Sequence, residues 1–393
     1  MKNFTFCVPT KFVFGRGAEN EAGAQVAAFG GTKALIHYGG GSAVRSGLIA
    51  RVERSLDEAG IYHVKLGGVR PNPRDTLVYR GIELGRSEQI DFVLAVGGGS
   101  VIDSSKAISH GMMYDGDFWD FFCGKAVSNA ILPMGVVLTM SAAGSESSNS
   151  CVITQESTLT KRGMRNELNR PKFAIMNPEL AATLPPYQIA CGATDILAHI
   201  MERYFTCEKE VDLTDRLCEG AMQAVIRAAR IAVKDPSNYD AQAQLMWAGT
   251  IAHNETVGVG RVMDFGSHQI EHELSALYDV AHGAGLAVVF PAWIKYHIKD
   301  DVMRFAQFGV RVFGCSMDFE NPERTAWDGV RAYESFLREI GMPLTLKELG
   351  GREEDIPMIT ARTKVTNKDT GTTGGAFPMT REDIEAILRL TNY

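Results

Sequence analysis

The chain has 393 residues, enough for two or three domains, and its 45% hydrophobic and 22% charged residues are the balance of an ordinary globular enzyme. A formal net charge of −7 with no long basic run argues against nucleic acid as a partner, and no apolar stretch approaches a membrane span or a signal peptide. The 7 cysteines are scattered, with no CxxC pair, and read as reduced thiols of a cytoplasmic protein.

Taken in order, residues 1–182 alternate short β-rich runs with helical patterns. FVF (12–14), ALIHY (34–38), HVKL (63–66), FVLAV (92–96), MGVVLT (134–139) and KFAIMN (172–177) read as strands. The first five run into glycines or small residues, and amphipathic segments such as 46–60 and 74–89 lie between them. Strand, glycine turn and helix in repetition predict an open parallel α/β sheet, whose ligands bind beyond the carboxyl ends of the strands.

Three stretches of this region point to a dinucleotide. In LAVGGGSVIDSSKAI (94–108), a strand runs through Gly97, Gly98, Gly99 and Ser100 into a helix. Backbone N–H groups at a helix N-terminus bind phosphate; a plain tight turn is the simpler alternative. It is not the GxGxxG fingerprint, and it follows a mid-sheet strand, so a dinucleotide site is expected without a standard Rossmann motif. Asp103 and Lys106 in the first turns of that helix are candidates to meet the cofactor, or else form a solvated helix face. The loop TMSAAGSESS (139–148) offers Thr139, Ser141 and Ser145 to a ribose and nicotinamide, or is a surface turn. After the second strand come Gly39, Gly40, Gly41 and Ser42, then Arg45, with no carboxylate to hold the ribose 2′-hydroxyl of NAD. Such a turn can accept a 2′-phosphate, so NADP(H) is expected in preference to NAD(H).

From Pro185-Pro186 onward the β signal nearly disappears. Helices are predicted over 211–233, 238–258, 266–278, 284–298, 322–340 and 380–390, making residues 183–393 a second, all-helical domain. KVTNKDTGTTGGAF (364–377) reads as a mobile loop.

This second domain carries the sharpest chemical pattern. In GSHQIEHELSALYDVAHG (266–283), His268 and His272 fall four apart on one helix face, and His282 closes the stretch. Alone, such a pair is as compatible with ordinary core histidines as with a metal. Upstream, however, TDILAHIMERY places Asp195 and His199 four apart on another apolar helix. Two helices each offering such a pair predict one divalent ion, and nitrogen-rich ligands hold zinc, iron and nickel alike, so the residues do not name it. His272, one turn from His268, is either a proton relay or a core histidine. His253, His297, His37, His63 and His110 are expected to be structural or exposed.

These pieces together resemble the iron-dependent (group III) alcohol dehydrogenases over essentially the whole chain. The resemblance rests on GGGSVID (97–103), TMSAAGSE (139–146), TDILAHIMERY (194–204) and GSHQIEHELSALYDVAHGAGLAVVFP (266–291). PNP (71–73), GGGS (39–42) and TLPP (183–186) align it with the branch of NADP-dependent butanol dehydrogenases and broad aldehyde reductases. The resemblance implies a Rossmann-like α/β cofactor domain and an all-α metal domain in a dehydroquinate synthase-like architecture, with a cleft between them. It implies Asp195, His199, His268 and His282 as metal ligands, with His272 near the metal but outside the ligand set. It implies a cytoplasmic homodimer that interconverts small alcohols and aldehydes. Ala142-Ala143 stand where the family loop commonly carries a hydroxyl or glycine. Other readings are a zinc glycerol dehydrogenase-like polyol oxidoreductase, a dehydroquinate-synthase-like lyase, or a non-catalytic metal-binding scaffold.

Overall fold

The computed structural model describes residues 1–392, and they form two compact units, one of Cys7–Leu184 and one of Met1–Phe6 with the chain from Pro185 onward. The first six residues group with the helical unit, whereas the sequence reading began the α/β domain at residue 1. Lys2 N–H donates to Gly260 O at 2.8 Å and ties them there.

The first unit holds eight strands: β1 (Lys11–Phe14), β2 (Lys33–Gly39), β3 (Tyr62–Val69), β4 (Phe92–Gly97), β5 (Met134–Leu138), β6 (Ser150–Gln155), β7 (Thr160–Arg165) and β8 (Phe173–Met176). Six of them make one sheet in the order β1-β8-β5-β4-β2-β3, with every neighbouring pair parallel. Helices cover both faces. Ala34, Ile36, Leu94, Val96, Val137 and Ile175 pack under Val26, Val52 and Leu56 on one side, while Leu35 and Leu66 meet Val78, Ile82 and Ile108 on the other. All six residues of β4 are therefore buried, which accounts for its unbroken apolar run.

From β2 the chain steps outward to β3, then crosses to the other side of β2 for β4. The connection reverses between β2 and β4, the place where doubly wound sheets bind ligands. In register Tyr38 pairs with Val96, and Gly97 with Leu138. The glycine turns after β2 and β4 and the hydroxyl-rich loop after β5 thus leave neighbouring carboxyl ends.

β6 and β7 form a separate antiparallel hairpin, Ser150 opposite Arg165 through Gln155 opposite Thr160. Sequence reading left this stretch without strands, because its hydroxyls and charges interrupt the apolar alternation. Cys151, Ile153 and Met164 still bury one face against the core.

The second unit is built of helices Pro186–Tyr204, Asp212–Ala232, Tyr239–His253, Gly266–Tyr278, His282–His297, Val302–Phe313, Pro322–Glu339, Ile356–Arg362 and Arg381–Leu390. Two of these, Val302–Phe313 and Ile356–Arg362, fall where the sequence reading placed nothing. The first has a glycine in its interior, and Gly309 meets Gly329 of helix Pro322–Glu339, where a Cβ would come within 2.7 Å of the facing Cα. The loop expected to be mobile is tethered at its end: Gly375 and Phe377 N–H donate to Asp264 Oδ2 at 3.2 and 2.8 Å, and Thr373 bridges to Met379. Among the described residues no helix is long and apolar enough to cross a membrane.

Candidate metal centre and cofactor turns

Helix Pro186–Tyr204 brings Asp195, His199 and Glu202 to one face, and all three side chains are buried. Helix Gly266–Tyr278 supplies His268, Glu271 and His272, and His282 is the first residue of the next helix. Asp195, His268 and His282 each turn one ligand atom inward, and these atoms lie within 4.8 Å of one another. His282 Nε2 is 3.8 Å from Asp195 Oδ1, and His199 Nε2 is 3.5 Å from the same oxygen. Ligands about 2.1 Å from a tetrahedral ion stand about 3.4 Å apart, so these spacings match a shared ion. His199 lies alongside the closest trio, its ring centroid 4.5 Å from that of His268.

The nitrogens facing away from this point explain the orientation of two rings. Glu202 Oε1 accepts from His268 Nδ1 at 2.7 Å, which fixes the proton there and leaves the Nε2 lone pair turned inward. His268 Nε2 is buried and finds no hydrogen-bond partner among the described residues. Such an atom is costly unless a ligand takes it. Glu271 holds His282 Nδ1 in the same way. Burial, and then the neighbouring His253, His268, Arg203 and His282, drives the His199 pKa well below the ordinary histidine value. The ring is neutral, the state a metal needs.

A second donor group, Glu271, His272 and His282, shares His282. Its carboxylate is already bonded to Ser275 Oγ and His282 Nδ1. That arrangement orients His282 toward Asp195, so the group serves the first site rather than competing with it. His272 is half-buried, its ring centroid 5.6 Å from that of His282.

Glu202 does more than hold His268. It accepts Phe265 N–H at 2.6 Å and Ser267 Oγ–H at 2.5 Å, so it also caps the helix bearing His268. Phe265 sits at φ 64, a left-handed conformation uncommon for a bulky residue, held by Glu202 on its own N–H and by Asp264, which accepts Gly266 N–H at 2.8 Å. Burial, with the Glu202 charge second, pushes the Asp264 carboxyl up to about 7.

Sequence reading missed Glu202, Glu271, Asp264 and His253. The signal for Glu202 was present, since it follows His199 by three and Asp195 by seven on the same buried face. His253, expected to be structural or exposed, ends helix Tyr239–His253 with its ring stacked 4.2 Å from that of His199. His37, bonded to Leu66 O and Ser104 Oγ, and His110, bonded to Ser128 and Asn169, are structural.

In the α/β unit, Gly41 takes φ 114, and a Cβ on it would lie 3.1 Å from Arg45 Nη1, so the guanidinium lies over the Gly39–Ser42 turn. Gly99 opens helix Gly99–Met112, with Gly97 and Gly98 before it and Ser100 after, and a Cβ on Gly99 would meet nothing within 4 Å. An open approach to the N-terminus of a 14-residue helix suits a pyrophosphate. Thr139 N–H donates to Gly97 O at 3.1 Å, which sets the start of the next loop against that turn. In the loop, Ser141 Oγ is buried with no hydrogen-bond partner among the described residues, as a ligand contact would be. Three expected cofactor contacts point inward instead. Asp103 Oδ1 accepts from Ser145 Oγ at 2.5 Å and Asp103 Oδ2 from Val152 N–H at 2.9 Å, while Lys106 is fully buried. The loop closes over this helix face, burying Lys106 fully and leaving Asp103 only slightly exposed.

The family model for iron-containing alcohol dehydrogenases matches residues 9–178, and that for the C-terminal part of the same family matches residues 189–391. The chain belongs to the iron-containing alcohol dehydrogenase family. It is therefore an oxidoreductase of alcohols and aldehydes, of a family that works with a divalent metal and a nicotinamide cofactor. It is 36% identical to NADH-dependent butanol dehydrogenase A of Clostridium acetobutylicum over 390 residues, 99% of each chain. It is 34% identical to the NADPH-dependent aldehyde reductase YqhD of Escherichia coli over 365 residues, 91% of this chain and 92% of that one. The crystal structure of NADH-dependent butanol dehydrogenase A from Thermotoga maritima superposes with a TM-score of 0.96 at 39% identity, covering 100% of this chain and 99% of that one.

Proposed function

We propose that this iron-containing alcohol dehydrogenase interconverts primary alcohols and aldehydes of about butanol size by hydride exchange with NADP(H). In this reading the unit of Cys7–Leu184 holds the cofactor, and the helical unit holds one divalent ion, Fe(II) or Zn(II), on Asp195, His199, His268 and His282. The observation that carries it is the buried His268 Nε2, unpartnered among the described residues, turned toward Asp195 and His282 with a carboxylate behind each of the two imidazoles.

When bound, the ion supplies Lewis acidity to an alcohol or carbonyl oxygen, and the nicotinamide supplies or accepts hydride. The residues supply the rest. Glu202 and Glu271 fix the tautomers of His268 and His282 and raise their basicity. Burial of Asp195, His199 and His268 keeps bulk water from competing with the substrate oxygen. His272, half-buried beside His282, is placed to pass the alcohol proton outward.

The preference for NADP(H) rests on the turn after β2. No carboxylate stands there to bond a 2′-hydroxyl, and the Arg45 guanidinium lies over Gly41, where it can pair with a 2′-phosphate. Relatives are named for each cofactor, the butanol dehydrogenases for NADH and YqhD for NADPH. The test is butanal reduction by the metal-loaded enzyme with each cofactor. A kcat/KM ratio favouring NADPH at least tenfold supports the reading, and a ratio favouring NADH rejects it.

A further inference from the structure

Lys106 lies two turns into helix Gly99–Met112, seven residues after Gly99, and its side chain has no exposed surface. Its ammonium is surrounded by oxygen. Nζ is 2.7 Å from Ser145 O, 2.9 Å from Ser145 Oγ, 2.8 Å from Ser150 O and 3.3 Å from both Ser148 O and Ser148 Oγ. All five oxygens belong to one stretch, 145–150, between the loop after β5 and the start of β6. Asp103, one turn earlier on the same helix face, grips that stretch from beside the ammonium. It accepts Ser145 Oγ–H and Val152 N–H, and its Oδ1 is 3.9 Å from Lys106 Nζ. From another side, Arg170 Nη1 donates to Ser147 O at 2.6 Å.

Burying an ammonium is unfavourable unless its three donors are all used and its charge is answered. Here both conditions are met: residues 145–150 supply the oxygens, and Asp103 on the same helix answers the charge. Carbonyl and hydroxyl oxygens converge on Nζ much as they would on a small structural cation. Just before the segment stands the left-handed Gly144 at φ 69, and Ser141 in the same loop keeps a buried hydroxyl with no hydrogen-bond partner among the described residues. A loop that leaves one hydroxyl unanswered while contacts from Lys106, Asp103 and Arg170 secure its far end is shaped for a ligand at its near end.

We propose that Lys106 is a positioning residue for the nicotinamide cofactor: an internal cation around which residues 145–150 fold, fixing the 139–148 loop to the helix that begins at the Gly97–Ser100 turn. The helix then acts as a rigid link of about 10 Å between the two turns. One end meets the anionic part of the cofactor, and the other sets the loop beside it. This rests on the reading of both turns as the cofactor site.

The experiment is fluorescence titration of NADPH and NADH into the metal-loaded full-length enzyme, for wild type, Lys106→Met, Ser145→Ala and Gly99→Asp. Lys106→Met matches the volume but removes all five contacts, and it is expected to raise the cofactor Kd at least tenfold. Metal content should stay at the wild-type level, and kcat at saturating cofactor should fall less than kcat/KM. Ser145→Ala removes only the hydroxyl shared by Lys106 and Asp103, and is expected to raise Kd several-fold; it decides the matter if Lys106→Met does not fold. Gly99→Asp tests the underlying reading, since it enters open space and places a like charge where the pyrophosphate would sit. If Gly99→Asp weakens cofactor while the folded Lys106 and Ser145 variants stay within twofold of wild type, Lys106 is not a positioning residue. If Gly99→Asp leaves Kd unchanged, the cofactor reading of this turn falls and the proposal with it.

Discussion

Gly283→Ala separates two opposing forces by sign. Gly283 is the second residue of helix His282–His297, and helix propensity alone makes alanine there better by about 1 kcal/mol. Packing opposes it. A Cβ on Gly283 would lie 2.0 Å from Cys191 O, 2.6 Å from Cys191 C and 2.9 Å from Cys191 Cα, all backbone of helix Pro186–Tyr204. Ordinary contact begins at 3.4 Å, so the two helices must part locally by about 1.4 Å (3.4 minus 2.0). Cys191 is one turn before Asp195, and Gly283 adjoins His282, so the displacement falls between two groups whose atoms now stand 3.8 Å apart. Metal sites tolerate ligand shifts of about 0.2 Å. Overpacking against backbone costs about 1–3 kcal/mol, which equals or exceeds the propensity gain. The assays are metal affinity by chelator competition and the Tm of the metal-free protein. Affinity should fall at least tenfold, about 1.4 kcal/mol, with a lowered Tm and normal helical circular dichroism. Unchanged metal affinity with a raised Tm would refute the packing argument.

Three further outcomes are expected. Glu202→Gln should weaken metal binding about 10- to 100-fold, because His268 loses the carboxylate that sets its tautomer; chelator competition reads it, and wild-type affinity would make Glu202 only a helix cap. His272→Gln should lower turnover and alter its pH profile with metal content intact. Loss of metal in that variant would make His272 a ligand, and an unchanged profile would make it structural. Gly39→Asp fits sterically, since its Cβ would meet only Val69 O at 3.5 Å and Val101 Cγ2 at 3.7 Å. It should weaken NADPH by about 1–3 kcal/mol and change NADH little, read as the ratio of kcat/KM for the two cofactors. A ratio that does not move would mean this turn does not read the 2′-position.

The parallel sheet was legible because each of its strands is a short apolar run closed by a glycine, small residue or proline. The β6–β7 hairpin was not, since Lys161, Arg162 and its threonines break the period while tertiary packing buries Cys151 and Ile153. In the helical unit, the four-residue spacings of Asp195 with His199 and of His268 with His272 showed which faces carry polar atoms inward. Spacing cannot show what lies on the far side of a ring. Glu202 and Glu271 became recognisable only once hydrogen bonds joined them to His268 and His282. The same limit applied to Asp103, Lys106 and Ser145. The sequence placed Asp103 and Lys106 after a phosphate turn and Ser145 in a loop facing ribose and nicotinamide, and only the fold of residues 145–150 shows their polar groups turned into the protein.

The most direct test of the account is metal stoichiometry measured together with butanal-dependent NADPH oxidation, on wild type and His268→Ala, before and after chelation and reloading. The account predicts one divalent ion per wild-type chain, turnover proportional to bound ion, and loss of both in His268→Ala with the fold intact. Normal turnover by metal-free wild type, or full metal occupancy and normal turnover in His268→Ala, would contradict it.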